Sequence, residues 1–218
     1  MRKQRRVFGL AEAYFDIIYL ISALAMGIYL MSTGNSHVRF LAGVTAAVLA
    51  AGDAFHLIPR IAAILTAREQ KFARAMGIGK LITSVTMTIF YILMWEIGIM
   101  LFSPPISPVW HYVVYWLAAL RILLCLFPQN RWFDAHPPVN WGIYRNIPFL
   151  MLGIAVAVLF AANVSSVPAV DSMWLAITLS FAFYIPVVLW SNTNPKIGML
   201  MLPKTCAYVW MLVMCMYI

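Results

Sequence analysis

Acids and bases sit where this chain should carry none. Glu12, Asp16, Asp53, His56, Arg60, Glu96, His111, Arg121 and Lys204 all lie inside long apolar runs. Glu12 and Asp16 are four residues apart, so a helix puts both on one face. Asp53, His56 and Arg60 follow at i, i+3 and i+7, again one stripe. A desolvated aspartate one turn from an imidazole suits general acid–base catalysis. Cationic Arg60, Arg121 and Lys204 suit an anionic group, since an anion at that depth needs charge partners. Asp53, His56 and Asp16 are therefore the candidate catalytic residues. Arg60, Glu12, Arg121 and Lys204 are candidate substrate-binding residues.

Helices of membrane length must position these groups. The chain has 218 residues, of which 64% are hydrophobic and 10% charged. Soluble domains carry roughly 45–50% apolar and about 25% charged residues. Too little polar surface exists here to cover a protein in water. About 20 apolar residues make one crossing, and seven such runs occur, at about 8–32, 38–65, 80–102, 108–127, 147–162, 172–190 and 197–218. The expected fold is a single all-α domain over 1–218, a polytopic bundle of about seven transmembrane helices. The first run is too long for a signal-peptide core and is read as a retained helix.

Lys and Arg are distributed by side. Taking the N-terminus as cytoplasmic, the inner segments hold Arg2, Lys3, Arg5, Arg6, Arg68, Lys71, Arg74, Arg131, Arg145 and Lys196, and the outer loops hold only Arg39. That asymmetry follows the positive-inside rule. The expectation is a multi-pass protein of the cell membrane with its C-terminus outside. The net charge of +8 then reflects orientation and anionic lipid rather than nucleic acid. Membrane lipids are the expected partners, and no oligomeric state is legible.

Depth groups the charges. At about 1.5 Å per residue, Glu12, Arg60 and Arg121 lie roughly 8–9 Å from the inner ends of their helices, and Asp16, His56, Asp53 and Lys204 roughly 12–18 Å. This predicts a polar chamber in the cytoplasmic half, shared by four helices. Glu96 and His111 fall near the outer interface. The segments Thr66–Lys80 and Pro128–Asn146 read as interfacial: the first as a short amphipathic helix on the leaflet, the second as aromatic and Arg anchors around Trp132, Trp141, Tyr144 and Arg145.

Cofactor and metal chemistry find little support. Cys125, Cys206 and Cys215 lie in apolar runs without metal spacing. A zinc site needs three or four convergent ligands. The last helix has no histidine, and His37, His111 and His136 lie far from His56. No cofactor and no metal are expected.

The segment Ala51-Gly52-Asp53-Ala54-Phe55-His56-Leu57-Ile58-Pro59-Arg60 resembles the Gly-Asp motif of bacterial lysoplasmalogenases of the YhhN-like family. These are small multi-helix membrane proteins of similar length. The resemblance implies hydrolysis of the vinyl ether bond of lysoplasmalogens by intramembrane aspartates. The family's following helix carries His before Tyr; this chain has Thr83, Ser84, Thr86 and Tyr91, and Tyr91 joins the binding candidates. Where the family shows a second, late Asp, this chain has Ser180, Tyr184 and Pro186. Two other classes stay open. An Asp–His–Arg stripe with Pro59, Pro186 and Pro203 nearby suits a small proton-coupled transporter. Buried charges that only hold helices together suit a structural membrane subunit.

Overall fold

The computed structural model of the protein describes residues 2–33, 35–134 and 137–218, with side chains described for 8–33, 35–134, 137–194 and 196–218. His136, one of the histidines weighed above, lies outside the described residues. All regular secondary structure among the described residues is helical. Seven long helices run α1 Arg2–Ser32, α2 His37–Thr66, α3 Glu69–Phe102, α4 Val109–Leu126, α5 Val139–Ala161, α6 Met173–Trp190 and α7 Met201–Cys215. All seven segments are long and apolar enough to cross a membrane. Short 3-10 turns at Pro128–Asn130, Pro168–Val170 and Pro195–Leu200 join the later ones.

Two helices start earlier than hydropathy suggests. The stretch expected to lie on the leaflet after Thr66 is the start of α3. Ala67 turns left-handed (φ 53°) and ends α2, and α3 begins two residues later. Ala, Lys, Arg, Glu, Gln and Met in this stretch are good helix formers, so nothing stops α3 from running beyond the apolar span. The fifth helix begins at Val139 rather than near Ile147. Its polar first turns are satisfied locally: Asn146 donates to the Gly142 carbonyl at 2.8 Å, and Arg145 to Asn130 at 2.7 Å.

The packing order follows from small residues. The α2–α3 pair meets most closely, at Gly52 and Gly79. A Cβ on Gly79 would stand 2.3 Å from the Phe55 carbonyl oxygen and 2.6 Å from the His56 Cα. Thr83 uses this approach to donate to the Gly52 carbonyl at 2.9 Å. The helix α3 also packs on α4 and α5, while α7 packs on α6, α1 and α2, which closes the bundle. The interior is aromatic. Tyr91 packs on Phe149 and Phe181 with ring centroids 5.3 Å apart in both cases, and Phe90 on Tyr208 at 5.7 Å. Large apolar residues such as Tyr14, Ile18, Trp116, Ile154 and Val158 stay exposed. That is the surface lipid tails require, and water would not tolerate so much of it.

The end of the bundle away from the N-terminus is tied by polar contacts. Arg39 donates to the carbonyls of Met216 and Ile218 at 3.1 and 2.8 Å. Tyr115 donates to Glu96 at 2.8 Å, and Trp95 to His111 Nδ1 at 3.4 Å. These bonds account for Glu96 and His111 as local structure.

Candidate functional site

A cavity of about 330 Å³ opens at the end of the bundle that carries the N-terminus. Six helices contribute to its wall: His56 from α2, Lys80 from α3, Arg121 from α4, Arg145 from α5, Tyr184 from α6 and Lys204 from α7 are among the lining residues. Thr83, Ser84 and Tyr208 also line it. No carboxylate occurs among the described residues of the wall.

The cations are held by aromatic rings and oxygens. The Arg121 guanidinium lies 4.6 Å over the Phe149 ring, and Arg121 donates to the Arg145 carbonyl. The Arg145 guanidinium lies 4.2 Å over Trp132. The Lys204 ammonium sits between Tyr184 and Tyr208, 4.9 and 4.8 Å from their centroids. Such contacts offset part of the desolvation of a cation, though not its charge. Three buried nitrogens at this wall keep no hydrogen-bond partner: His56 Nδ1, Arg121 Nε and Arg145 Nε.

Asn130 builds one side of this arrangement. It is fully buried and follows the last turn of α4. Its amide donates to the carbonyls of Leu124 and Phe127 at 2.7 and 2.8 Å, closing the end of that helix. Its oxygen accepts from Arg145 at 2.7 Å. Trp132 donates to the Cys125 carbonyl at 3.0 Å, so the ring under Arg145 is itself fixed. Asn130→Ala orphans these groups, and leaving buried polar groups unpaired costs about 1–3 kcal/mol. The expected result is a lower unfolding temperature in detergent, and Asn130→Asp should not restore it, because a carboxylate keeps the acceptor for Arg145 but has no N–H for the carbonyls. Equal stability of the Ala variant would show that the bonds contribute nothing.

The sequence candidates separate into two places. His56, Arg121 and Lys204 line the cavity. The others do not. Glu12 and Arg60 form a bidentate ion pair at 2.9 and 3.3 Å, with side chains 30% and 40% exposed. Asp53 accepts from the Tyr19 hydroxyl at 2.7 Å. Asp16 is buried on the same side of α1 as these groups. Tyr91 is fully buried, with its hydroxyl 3.0 Å from Ser180 Oγ. Lys204 joins the two places: it lies in the wall and within reach of the Asp53 charge. The half-exposed Glu12–Arg60 pair is of the kind worth about 0–1 kcal/mol. Glu12→Gln is therefore expected to shift the unfolding temperature by no more than a few degrees, as read by thermal unfolding in detergent.

Lys80, Asn130, Trp132 and Arg145 were missed as site residues. An Arg beside aromatics at a helix end reads first as an interface anchor. The one usable signal was Asn130, a buried-type cap just after an apolar run.

A second, smaller space adjoins the first. An apolar groove of about 120 Å³ runs between α5 and α6, lined by Ile143, Ile147, Leu150, Ile185 and Leu189 among others. Phe149, Tyr184 and Val188 belong to both the groove and the cavity. The two spaces therefore share part of one wall. Among the described residues, no three His, Cys, Asp or Glu side chains converge as metal ligands.

Compared with protein-family models, with curated proteins and with solved structures, the chain matches none.

Proposed function

We propose that this seven-helix membrane protein hydrolyses a single-chain lipid, in the manner of lysoplasmalogenases, with the reacting bond beside His56. The observation that carries this reading is the shared wall. A cavity lined by four cations and an apolar groove between two membrane-spanning helices share Phe149, Tyr184 and Val188 as wall residues. An amphiphile matches that pair of spaces, with its head in the cavity and its chain along α5 and α6. The positive-inside count puts the opening at the cytoplasmic leaflet.

His56 is the acid–base candidate that lines the cavity. In this reading it passes a proton between water and the scissile ether. Overall, the vinyl carbon away from oxygen gains a proton and water adds to its neighbour. The resulting hemiacetal collapses to an aldehyde and the free glycerol hydroxyl. Asp53, tied to Tyr19, acts on this site through Lys204 rather than by touching substrate.

The test is turnover of vinyl-ether and ester lysophospholipids by purified protein in nanodiscs, with Asp53→Asn beside wild type. Aldehyde or fatty-acid release by wild type is expected, with a reduced rate for Asp53→Asn. Failure to turn over any lysolipid would falsify the hydrolytic reading.

One observation favours a second reading, a small proton-coupled carrier. Three of the helices in the wall carry internal prolines, Pro59 in α2, Pro148 in α5 and Pro186 in α6. Prolines free backbone carbonyls and allow helices to bend. Proton-driven uptake into proteoliposomes, in the absence of lipid turnover, decides for the carrier.

A further inference from the structure

We propose that the cavity contains a site for a phosphate-class oxyanion, held by Arg121, Arg145 and Lys204 with Lys80 at the mouth. The site belongs to the same cavity as the hydrolytic reading but does not depend on any reaction there. Charge is the first argument. Arg121 and Lys204 are 1% and 8% exposed. Among the described residues, the ion pairs within 4 Å are Glu12 with Arg60 and Arg131 with Asp134; Lys204 has the Asp53 charge within reach, and Arg121, Arg145 and Lys80 have no carboxylate partner. Buried cations without an anion are strongly disfavoured. Here they also lie within reach of one another's charge, Lys80 with Arg145, Arg145 with Arg121, and Arg121 with Lys204. An anion entering the cavity relieves both desolvation and mutual repulsion.

Geometry is the second argument. Arg121 and Arg145 lie over Phe149 and Trp132, which leaves the in-plane N–H edges for polar partners. Each guanidinium spends Nη1 on a protein oxygen, and each keeps a buried, unpartnered Nε. A guanidinium edge offers paired donors that match two oxygens of a phosphate. The Lys204 ammonium adds a point charge from the opposite helix. Two guanidinium edges and two ammonium groups are more than one carboxylate can satisfy. A phosphate, with several terminal oxygens and up to two charges, fits the set.

The phosphate could arrive free, as a soluble monoester, or on a lipid headgroup. Binding measured in phosphatidylcholine-free detergent micelles separates these sources. The probes are inorganic phosphate, glycerol 3-phosphate, a lysophosphatidic acid, and a monoacylglycerol as the phosphate-free control. The readouts are calorimetry and the fluorescence of Trp132 and its neighbours. Binding of at least one phosphate probe is expected, with none or far weaker binding of the monoacylglycerol. If the soluble probes bind as well as the lipid, the physiological ligand is soluble. If only the lipid phosphate binds, it is a headgroup; either result supports the site. Arg145→Gln and Lys204→Met are each expected to weaken binding by about tenfold or more, the size of a lost charge-assisted hydrogen bond. Lys80→Met changes an exposed side chain, so it tests the site even if the buried variants misfold; a severalfold loss and a shallower salt dependence are expected. Absence of phosphate binding, equal binding of the monoacylglycerol, or unchanged affinity in Lys80→Met and every folded variant overturns the proposal. Loss of lipid turnover with phosphate binding intact would remove the hydrolytic reading and leave the oxyanion site standing.

Discussion

His56→Ala is expected to lower lysolipid turnover by about 10²–10⁴-fold, the usual contribution of a positioned general acid or base. The imidazole lines the cavity, and its Nδ1 is buried without a protein partner. No described carboxylate in that wall can take over proton transfer. The residue is half-buried rather than part of the tight aromatic interior, so the variant should elute from size exclusion as wild type does. Added imidazole is expected to restore part of the rate, which a purely structural histidine would not allow. The comparison with Asp53→Asn separates two mechanisms. Asp53 bonds to Tyr19 outside the wall, so its loss should reduce the rate less than the loss of His56. The reverse order, a dead Asp53→Asn beside an active His56→Ala, transfers the proton chemistry to the aspartate.

Gly79→Val should strongly disrupt the α2–α3 contact. Even one Cβ there would meet the Phe55 carbonyl oxygen at 2.3 Å and the His56 Cα at 2.6 Å. Those atoms are backbone, so no rotamer change relieves the clash. Overpacking of this kind costs about 1–3 kcal/mol when side chains can adjust, and rigid backbone leaves less room to adjust. The expected outcome is loss of the monodisperse folded protein, or a sharply lower unfolding temperature. Any folded fraction should also lose activity, because relief of the clash must displace α2 at His56 itself. Gly198→Ala is the matched control: nothing lies within 4 Å of its added Cβ, and wild-type behaviour is expected. A stable, active Gly79→Val would mean that α2 and α3 stand further apart than described.

Spacing along single helices is legible without a fold, and several expectations rest on it alone. Glu12 one turn from Asp16, and Asp53 one turn from His56, follow from helical periodicity. Depth, from residue rise of about 1.5 Å, puts Lys204 near the level of His56 and Arg121 nearer the inner ends, all in the same half of the bundle, and all three line the cavity. Partner choice was not legible in this way. Asp53 and Arg60 share a stripe with His56, yet Arg60 reaches Glu12 and Asp53 reaches Tyr19. Rotation of α1 against α2 decides that, and no one-helix pattern contains it. Arg145 is the clearest case. Alone it looks like an anchor at the headgroups; the return of the chain through Asn130 and Trp132 turns it into the cavity wall.

Composition and the side bias of Lys and Arg were enough to determine a seven-helix membrane protein, because lipid leaves backbone polar groups few other ways to be satisfied. Tertiary packing alone decided which buried charges share a space. Glycine contacts and crossing helices rotate each stripe toward a particular neighbour, and that rotation separates the carboxylates near α1 from the cations around the cavity.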